Sequence, residues 1–406
     1  MKKIISLILA AVLLSGSALS LVSCNKRRVI PVDIEEKYSG FINVRSGLNN
    51  LYNKLNSDEE TVISYLGGSV TAGFGSNDPE VGSWRAISFN WLKENFPEAK
   101  LVQNNVAMGG TGSHLGAFRT KSDIIDTDSD LVFIEFAVND SYSGTHSAGN
   151  STLYFEQIVR QTREALPECD IIAVYVTDIY AAKEHGGNSM HSVAQAHEAV
   201  CEKYGITSID VGRALCYLMN GYDESLWGTY IADTVHPADP GYAVYAEVVC
   251  EYLHKYLKGS PILEYRKTQP HALPDGYADE RNKSLKLTFV PADNYEMFDY
   301  IKGFTLEADT PVTGSHIKGA MSSQEEENEL VFTFEGTGID LYISGKGNRI
   351  EYSIDGGESI RTIVDPADPP FKLAQGLDQG THTLKLSFVS KRETRKVRGF
   401  FVYSNK

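Results

Sequence analysis

The sequence predicts a doubly wound α/β domain with a flavodoxin-like, parallel five-stranded sheet, followed by an all-β domain resembling a jelly-roll sandwich. Three observations carry this. Between residues 46 and 258, apolar strand-like runs and amphipathic helix-like stretches alternate five times, the pattern of βαβ units. Residues 259–274 contain "GSPILEYRKTQPHALP", whose prolines and glycine mark a linker. From 275 to 406 the chain reads as short runs of period-two alternation separated by turn signals such as "DGG", the pattern of antiparallel strands.

The elements follow in order. "GLNNLYNKLN" (47–56) has leucines and a tyrosine at helical spacing. Residues 61–66 form the first strand and 84–96 a helix stopped by Pro97. Residues 99–105 are a second strand and 113–125 a helix. "LVFIEFAV" (131–138) is a continuous apolar run, as expected of a strand buried on both faces. Helix 153–166, strand 170–177, helix 192–204, short strand 206–210 and the long closing helix 239–257 complete the domain. Strands are expected at 284–290, 329–336, 339–344, 349–357, 381–389 and 398–404 beyond the linker.

The N-terminus reads as an export signal. Lys2 and Lys3 precede an apolar run that ends in "LVSC" at Cys24, too short and wrongly flanked for a membrane span. The tetrad resembles a bacterial lipobox, which implies a signal peptide over 1–23, lipidation of Cys24 and a tether over 24–45. The expected location is therefore beyond the cytoplasmic membrane, with the protein anchored in a cell-envelope membrane. The chain carries a net charge of −15, and loss of Lys2 and Lys3 with the signal would leave −17. Such acidity argues against nucleic acid as partner, because that binding rests on Lys and Arg contacts to phosphate. The cysteines at 169, 201, 216 and 250 lack CxxC spacing, so buried thiols are expected rather than a metal or redox site.

In doubly wound folds the ligand site lies beyond the carboxyl ends of the strands. Polar landmarks collect there: Ser69 in "GGSVTAG", Gly110 in "NNVAMGGTGS", Asn139 in "FAVND", and Asp233 with His236 in "ADTVHPADPGY". A serine needs a base to act as a nucleophile near neutral pH, and histidine suits. A carboxylate fixes that imidazole's tautomer and orientation. Donors from Ser69 N–H, Gly110 N–H and the Asn139 amide could stabilise an acyl oxyanion. A metal site from Asp233, His236 and Asp239 lacks a third firm ligand, and no metal or cofactor is expected. Arg119 and Trp84 read as structural, and His185, His191 and His197 as surface or helix-face residues.

These four blocks resemble the SGNH/GDSL hydrolase family in order and spacing over roughly residues 60–257. The resemblance implies Ser69 as nucleophile, Gly110 and Asn139 as oxyanion donors together with Ser69 N–H, His236 as base and Asp233 as its orienter. Two positions depart from the pattern: Gly68 stands where the family has aspartate, and Ala137 where it has glycine. The "GGSVTAG" stretch is not the nucleophile elbow of α/β-hydrolases, since position 71 is threonine. The expected activity is an extracytoplasmic serine esterase that removes small acyl groups, foremost O-acetyl, from carbohydrate. The sugar preference comes by analogy from the export signal joined to a C-terminal sandwich. A lipase, an O-acetyltransferase and a catalytically silent glycan-binding lipoprotein stay open as alternatives, as does the oligomeric state. Tyr342, Tyr352 and Phe371 are candidate sugar platforms, against the simpler expectation that aromatics in alternating strands are core.

Overall fold

A computed structural model describes residues 37–142, 148–259, 267–366, 370–389 and 396–406; Cys24 and the expected signal and lipidation site lie outside them. The first sheet contains β1 (Ile42–Asn43), β2 (Glu60–Gly67), β3 (Lys100–Ala107), β4 (Leu131–Glu135), β5 (Asp170–Tyr175) and β6 (Thr207–Asp210). Its order is β1-β6-β5-β4-β2-β3. The five strands from β2 to β6 are parallel, and the two-residue β1 adds an antiparallel edge.

Burial on both faces explains the apolar runs. Along β4, Leu131 and Phe133 enter one core while Val132 and Ile134 enter the other. Ile172 and Val174 alternate with Ile171 and Ala173 in the same way along β5, as the period of two requires. Helices Trp84–Asn95, Val211–Leu218 and Asp239–Leu257 cover the first face. Helices Ser113–Thr120, Ala148–Ala165 and Ser192–Tyr204 cover the second.

Several expectations shift. The third apolar run is strand only to Glu135, and Ala137–Tyr142 is helix. Apolar character alone does not separate a buried strand from the buried helix that follows it. Short helices Ile179–His185 and Glu224–Tyr230, together with Val211–Leu218, were not expected from periodicity. The helix from Ser113 ends at Thr120 and continues as a π-helical turn over Lys121–Ile125. The end of the expected tether is docked: Tyr38 is 2% exposed, and its N–H donates to Glu251 Oε2 at 2.8 Å. The described part of the linker is docked too. His271 N–H donates to Pro167 O at 2.7 Å, and its ring Nε2 lies 2.8 Å from Asp170 Oδ1. The cysteines at 169, 201, 216 and 250 are free and buried.

The second unit is an antiparallel, sandwich-like sheet around its own core. It contains β7 (Leu285–Pro291), β8 (Tyr300–Lys302), β9 (Thr305–Glu307), β10 (Ala320–Ser322), β11 (Glu329–Ser344), β12 (Asn348–Ile354), β13 (Ile360–Val364), β14 (Phe371–Phe388) and β15 (Lys396–Asn405). The path is β13-β12-β14-β11-β15-β10-β9, with β7 on β15 and β8 on β11. The runs expected as separate strands at 329–336 and 339–344 are one strand, β11, whose register with β14 shifts at Gly336–Gly338 and again at Ile339–Asp340. Such bulges bend a long strand without ending it.

The two units share an apolar seam in which Leu115, Phe118, Phe401 and Tyr403 are buried together. The Phe118 and Phe401 rings stack at 4.4 Å. Tyr403 hydroxyl donates to Asp340 Oδ2 at 2.6 Å, so the 2.6 Å contact with His114 Nε2 is a bond donated by that nitrogen. Burying four such side chains contributes on the order of 6–12 kcal/mol, comparable with the whole stability of a domain. Of the candidate sugar platforms, Tyr352 is buried in the second unit's core, Phe371 packs partly buried against that core, and Tyr342 packs on the seam.

Candidate active site

β2 and β4 are neighbours in the sheet, so the turns after them open on one crevice. Ser69 is the first residue of the short helix Ser69–Ala72 and is 8% exposed. As first helical residue, its N–H has no partner within the helix. No other bond from it occurs among the described residues.

His236 arrives from the other end of the chain. Ile231 and Pro237 form an antiparallel bridge, and Ala232 N–H donates to His236 O at 2.7 Å. This closes a loop that presents Asp233 and His236 together. Within it, Asp233 Oδ1 accepts from Val235 N–H and His236 N–H, both at 2.8 Å. Trp227 Nε1 and Ile179 N–H anchor the carbonyls of Asp233 and Thr234 at 2.8 Å each. The side chains then line up: His236 Nδ1 lies 2.7 Å from Asp233 Oδ2, and Nε2 lies 2.7 Å from Ser69 Oγ. Partial burial works to raise the Asp233 carboxyl, but the hydrogen bonds from the His236 ring and from two backbone N–H groups outweigh it and hold the group below its ordinary value. An ionised Asp233 accepts from Nδ1–H, which leaves the Nε2 lone pair for the Ser69 proton.

Asn139 sits in the helix after β4 and is half-buried. Its carboxamide packs on Gly68: a Cβ built there would lie 2.8 Å from Oδ1 and 2.9 Å from Nδ2. Any side chain at position 68 would displace the amide, which gives the departure at Gly68 a physical reason. Asn139 makes no side-chain hydrogen bond that would hold its amide away from a ligand among the described residues. Of the two glycines in the turn after β3, Gly109 is the one whose Cβ position abuts the nucleophile. A Cβ on Gly109 would come within 3.6 Å of Ser69 Cβ, whereas Gly110, at φ 73°, has nothing within 4 Å. Both glycines lie in the turn after β3, and the sequence reading takes the N–H of Gly110 as the donor.

Three further residues shape the site. Phe74 is 54% exposed, and its ring lies 5.8 Å from that of His236. It also abuts Gly109, so it forms a wall of the crevice. Its place between two glycines in "GFGS" was a usable signal, since a large apolar residue is out of place in such a loop. Glu135, at the end of β4, is 1% exposed and accepts from Thr71 Oγ1 at 2.8 Å beneath the Ser69 helix. Burial pushes its carboxyl up to about 7, against the Thr71 bond and the N–H groups of Gly68 and Thr71. Asp140 is fully buried and accepts from Ser113 N–H at 2.8 Å, tying the helix after the glycine turn to the helix that carries Asn139. Trp84 lies in the core against Tyr65 and Phe133, and Arg119 is buried on Asp123; both are structural. His197 is a correction: expected on a surface or helix face, it is 1% exposed and bonded to Asp140 and Ser151.

The arrangement can take a proton from a serine hydroxyl and offers unpaired donors beside it, the requirements of acyl transfer. Residues 65–244 match the model of the GDSL-like lipase/acylhydrolase family. Comparison with curated proteins found no match. Among solved structures, a two-domain esterase (CEX) active on acetylated mannans is similar at a TM-score of 0.71 and 21% identity, over 91% of this chain and 99% of that one. The same esterase co-crystallized with mannopentaose gives 0.68 and 21%, over 91% and 98%. At that identity the likeness is one of fold, and it extends over both units.

Proposed function

From the premise that the α/β domain belongs to the GDSL-like lipase/acylhydrolase family, we propose that this protein is a serine esterase that removes small acyl groups, foremost O-acetyl, from carbohydrate. The observation that carries the chemistry is the Ser69–His236–Asp233 row, with both contacts at 2.7 Å. His236 Nε2 accepts the Ser69 proton as Oγ attacks the ester carbonyl carbon. Ser69 N–H, an N–H of the Gly109–Gly110 turn and Asn139 Nδ2 receive the oxyanion. The C–O bond to the sugar breaks, and the alkoxide takes its proton from His236. Water, deprotonated by His236, then attacks the acyl carbon; the bond from that carbon to Ser69 Oγ breaks, Oγ takes its proton back from His236, and the acid leaves. Apart from the substrate and water, each step uses groups on this chain.

The carbohydrate substrate is supported by the two-unit fold shared with an esterase active on acetylated mannans. An anchored, exported protein, with Cys24 lipidated and residues 1–23 removed, is the setting that the N-terminal sequence supports. The test is acetate release from acetylated polysaccharides by the wild type and by Ser69→Ala, with transfer products measured in parallel. Ser69-dependent acetate release is the expected result. Transfer to a sugar hydroxyl in place of release would favour an acetyltransferase, and no reaction would favour a silent glycan-binding protein. Aryl acetate should be cleaved faster than butyrate, and octanoate barely. A rate rising with chain length would indicate an apolar groove gaining about 0.8 kcal/mol per buried CH₂, and so a lipase.

A further inference from the structure

The turn that carries Gly109 and Gly110 is held on one side by the nucleophile's own strand: Met108 N–H donates to Gly67 O at 2.9 Å. On its other side it is held by the second unit. Between β9 and β10 the chain makes a hairpin-like excursion, closed by Thr310 N–H to Lys318 O and Val312 N–H to Ile317 O, both at 2.9 Å. Its tip, Gly314–His316, rests on the α/β domain. Gly314 has φ 76°, and a Cβ built on it would stand 1.9 Å from Ala107 O, 2.6 Å from Ala107 C and 3.2 Å from Met108 Cα. The first two are distances that real Cβ atoms do not show, and the opposing atoms are backbone.

The tip is fastened by partly buried polar bonds. Arg119 Nη1 donates to Gly314 O at 2.9 Å, to Val106 O at 2.8 Å and to Asp123 Oδ2 at 2.7 Å. Ser315 Oγ donates to Asp123 at 2.9 Å, and His316 N–H at 2.8 Å. The His316 ring Nε2 lies 2.8 Å from Asn104 Oδ1, on β3 itself. Tyr342 of β11 points its hydroxyl at Met108 Sδ, 3.8 Å away. The peptide Ala107–Met108 is therefore clamped between Gly67 and the second unit, directly before Gly109.

We propose that the second unit is a positioning part of the acyl-transfer site: the Gly314–His316 tip fixes Ala107–Met108 and thereby sets the N–H groups of Gly109 and Gly110 against Ser69. This rests on the function proposed above and extends it, since it makes the oxyanion turn depend on a segment roughly 200 residues away in sequence. Oxyanion donors act only where their geometry is fixed before the charge forms.

The experiment compares Gly314→Ala with Gly376→Ala in the full chain. Gly376 has nearly the same φ, 73°, but nothing within 4 Å of its Cβ position, so it carries the backbone strain without the collision. Gly314→Ala is expected to lower kcat on aryl acetate about 10- to 100-fold, with KM within about twofold and an unchanged pH profile, short of the loss of a whole donor. Gly376→Ala is expected to do neither. In ¹⁵N-glycine-labelled protein, the amide resonances of Gly109 and Gly110 should move in Gly314→Ala and stay in Gly376→Ala. Should Gly314→Ala fail to fold, Ser315→Ala loosens the tip without adding an atom, and the same resonances should move with a kcat lowered about threefold or more. Unmoved resonances in the variants that fold overturn the proposal, whatever happens to kcat; so does a kcat within twofold of wild type. A wild type without Ser69-dependent hydrolysis would instead overturn the esterase, and the resonances alone would then decide the positioning.

Discussion

Ser69, His236 and Asp233 lie in a row at the rim of the sheet; Ser151, His197 and Asp140 lie inside the helical layer, the three of them at most 1% exposed. The residue types are the same and the serine–histidine distance matches, while the histidine–carboxylate distance is longer: Ser151 Oγ is 2.7 Å from His197 Nε2, which is 3.1 Å from Asp140 Oδ2. The direction of the protons differs. At the rim the imidazole stands between serine and carboxylate and uses one nitrogen for each. In the interior the same Nε2 faces both partners, and Ser151 already donates to Asp140. Ser151 is 0% exposed, and its proton is directed at Asp140 rather than at the imidazole. Asp140 is held below its ordinary value because the bonds from His197, Ser113 and Ser151 outweigh its burial. A serine, a histidine and an aspartate in contact make a nucleophile only when the histidine separates the other two and the serine is reachable.

The largest expected effect tests that contrast directly. Ser69→Ala and His236→Ala should each lower kcat by about 10⁴-fold or more, and the double variant should be little worse, because such residues act as a unit. Ser151→Ala should leave kcat within a few-fold. Steady-state kinetics on aryl acetate decide it, and a Ser69→Ala protein with a tenth of wild-type activity would remove Ser69 from its role. Next, Asn139→Ala should lose about 10²–10³ in kcat, as for one oxyanion donor. Asp233→Asn should cost less than loss of the base it orients.

The interior cluster should answer in stability instead. His197→Ala leaves Asp140 a buried charge short of one donor, so unfolding in urea should show a loss of about 3 kcal/mol, with kcat of the folded fraction little changed. A large fall in kcat with stability intact would mean that the cluster takes part in the chemistry.

The smallest effect concerns the other buried carboxylate. Glu135 is raised to about 7, chiefly by burial, so its protonated form is favoured on folding. The stability it contributes is fully present below its unfolded value near 4.5 and is lost as pH rises through about 7. Glu135→Gln should erase that loss. The stability difference between variant and wild type should grow by at most roughly 3 kcal/mol between pH 4.5 and 8. A difference independent of pH would show that Glu135 is ionised throughout.

The chain order of strands and helices, the change of class near residue 259 and the polar residues at strand ends were legible in the sequence because each depends on local period or local chemistry. Ser69, Asn139, Asp233 and His236 could be singled out because a parallel sheet brings the ends of its strands together. The end of β4 was misjudged because a buried helix and a buried strand share the same apolar composition. His197 was missed because nothing local tells a helix-face histidine that meets solvent from one that meets Asp140.

What the sequence determined by itself is the alternation that selects a doubly wound sheet and the set of groups capable of acyl transfer, since both follow from residue type and spacing. Which serine has a base, which of two glycines abuts it, and whether the second unit stands apart were decided only in three dimensions. Those outcomes depend on contacts between Ser69 and His236, between Gly109 and Ser69, and between Gly314 and Ala107. The partners are up to about 200 residues apart in the chain, and their meeting is fixed by the packing of whole layers rather than by any local pattern.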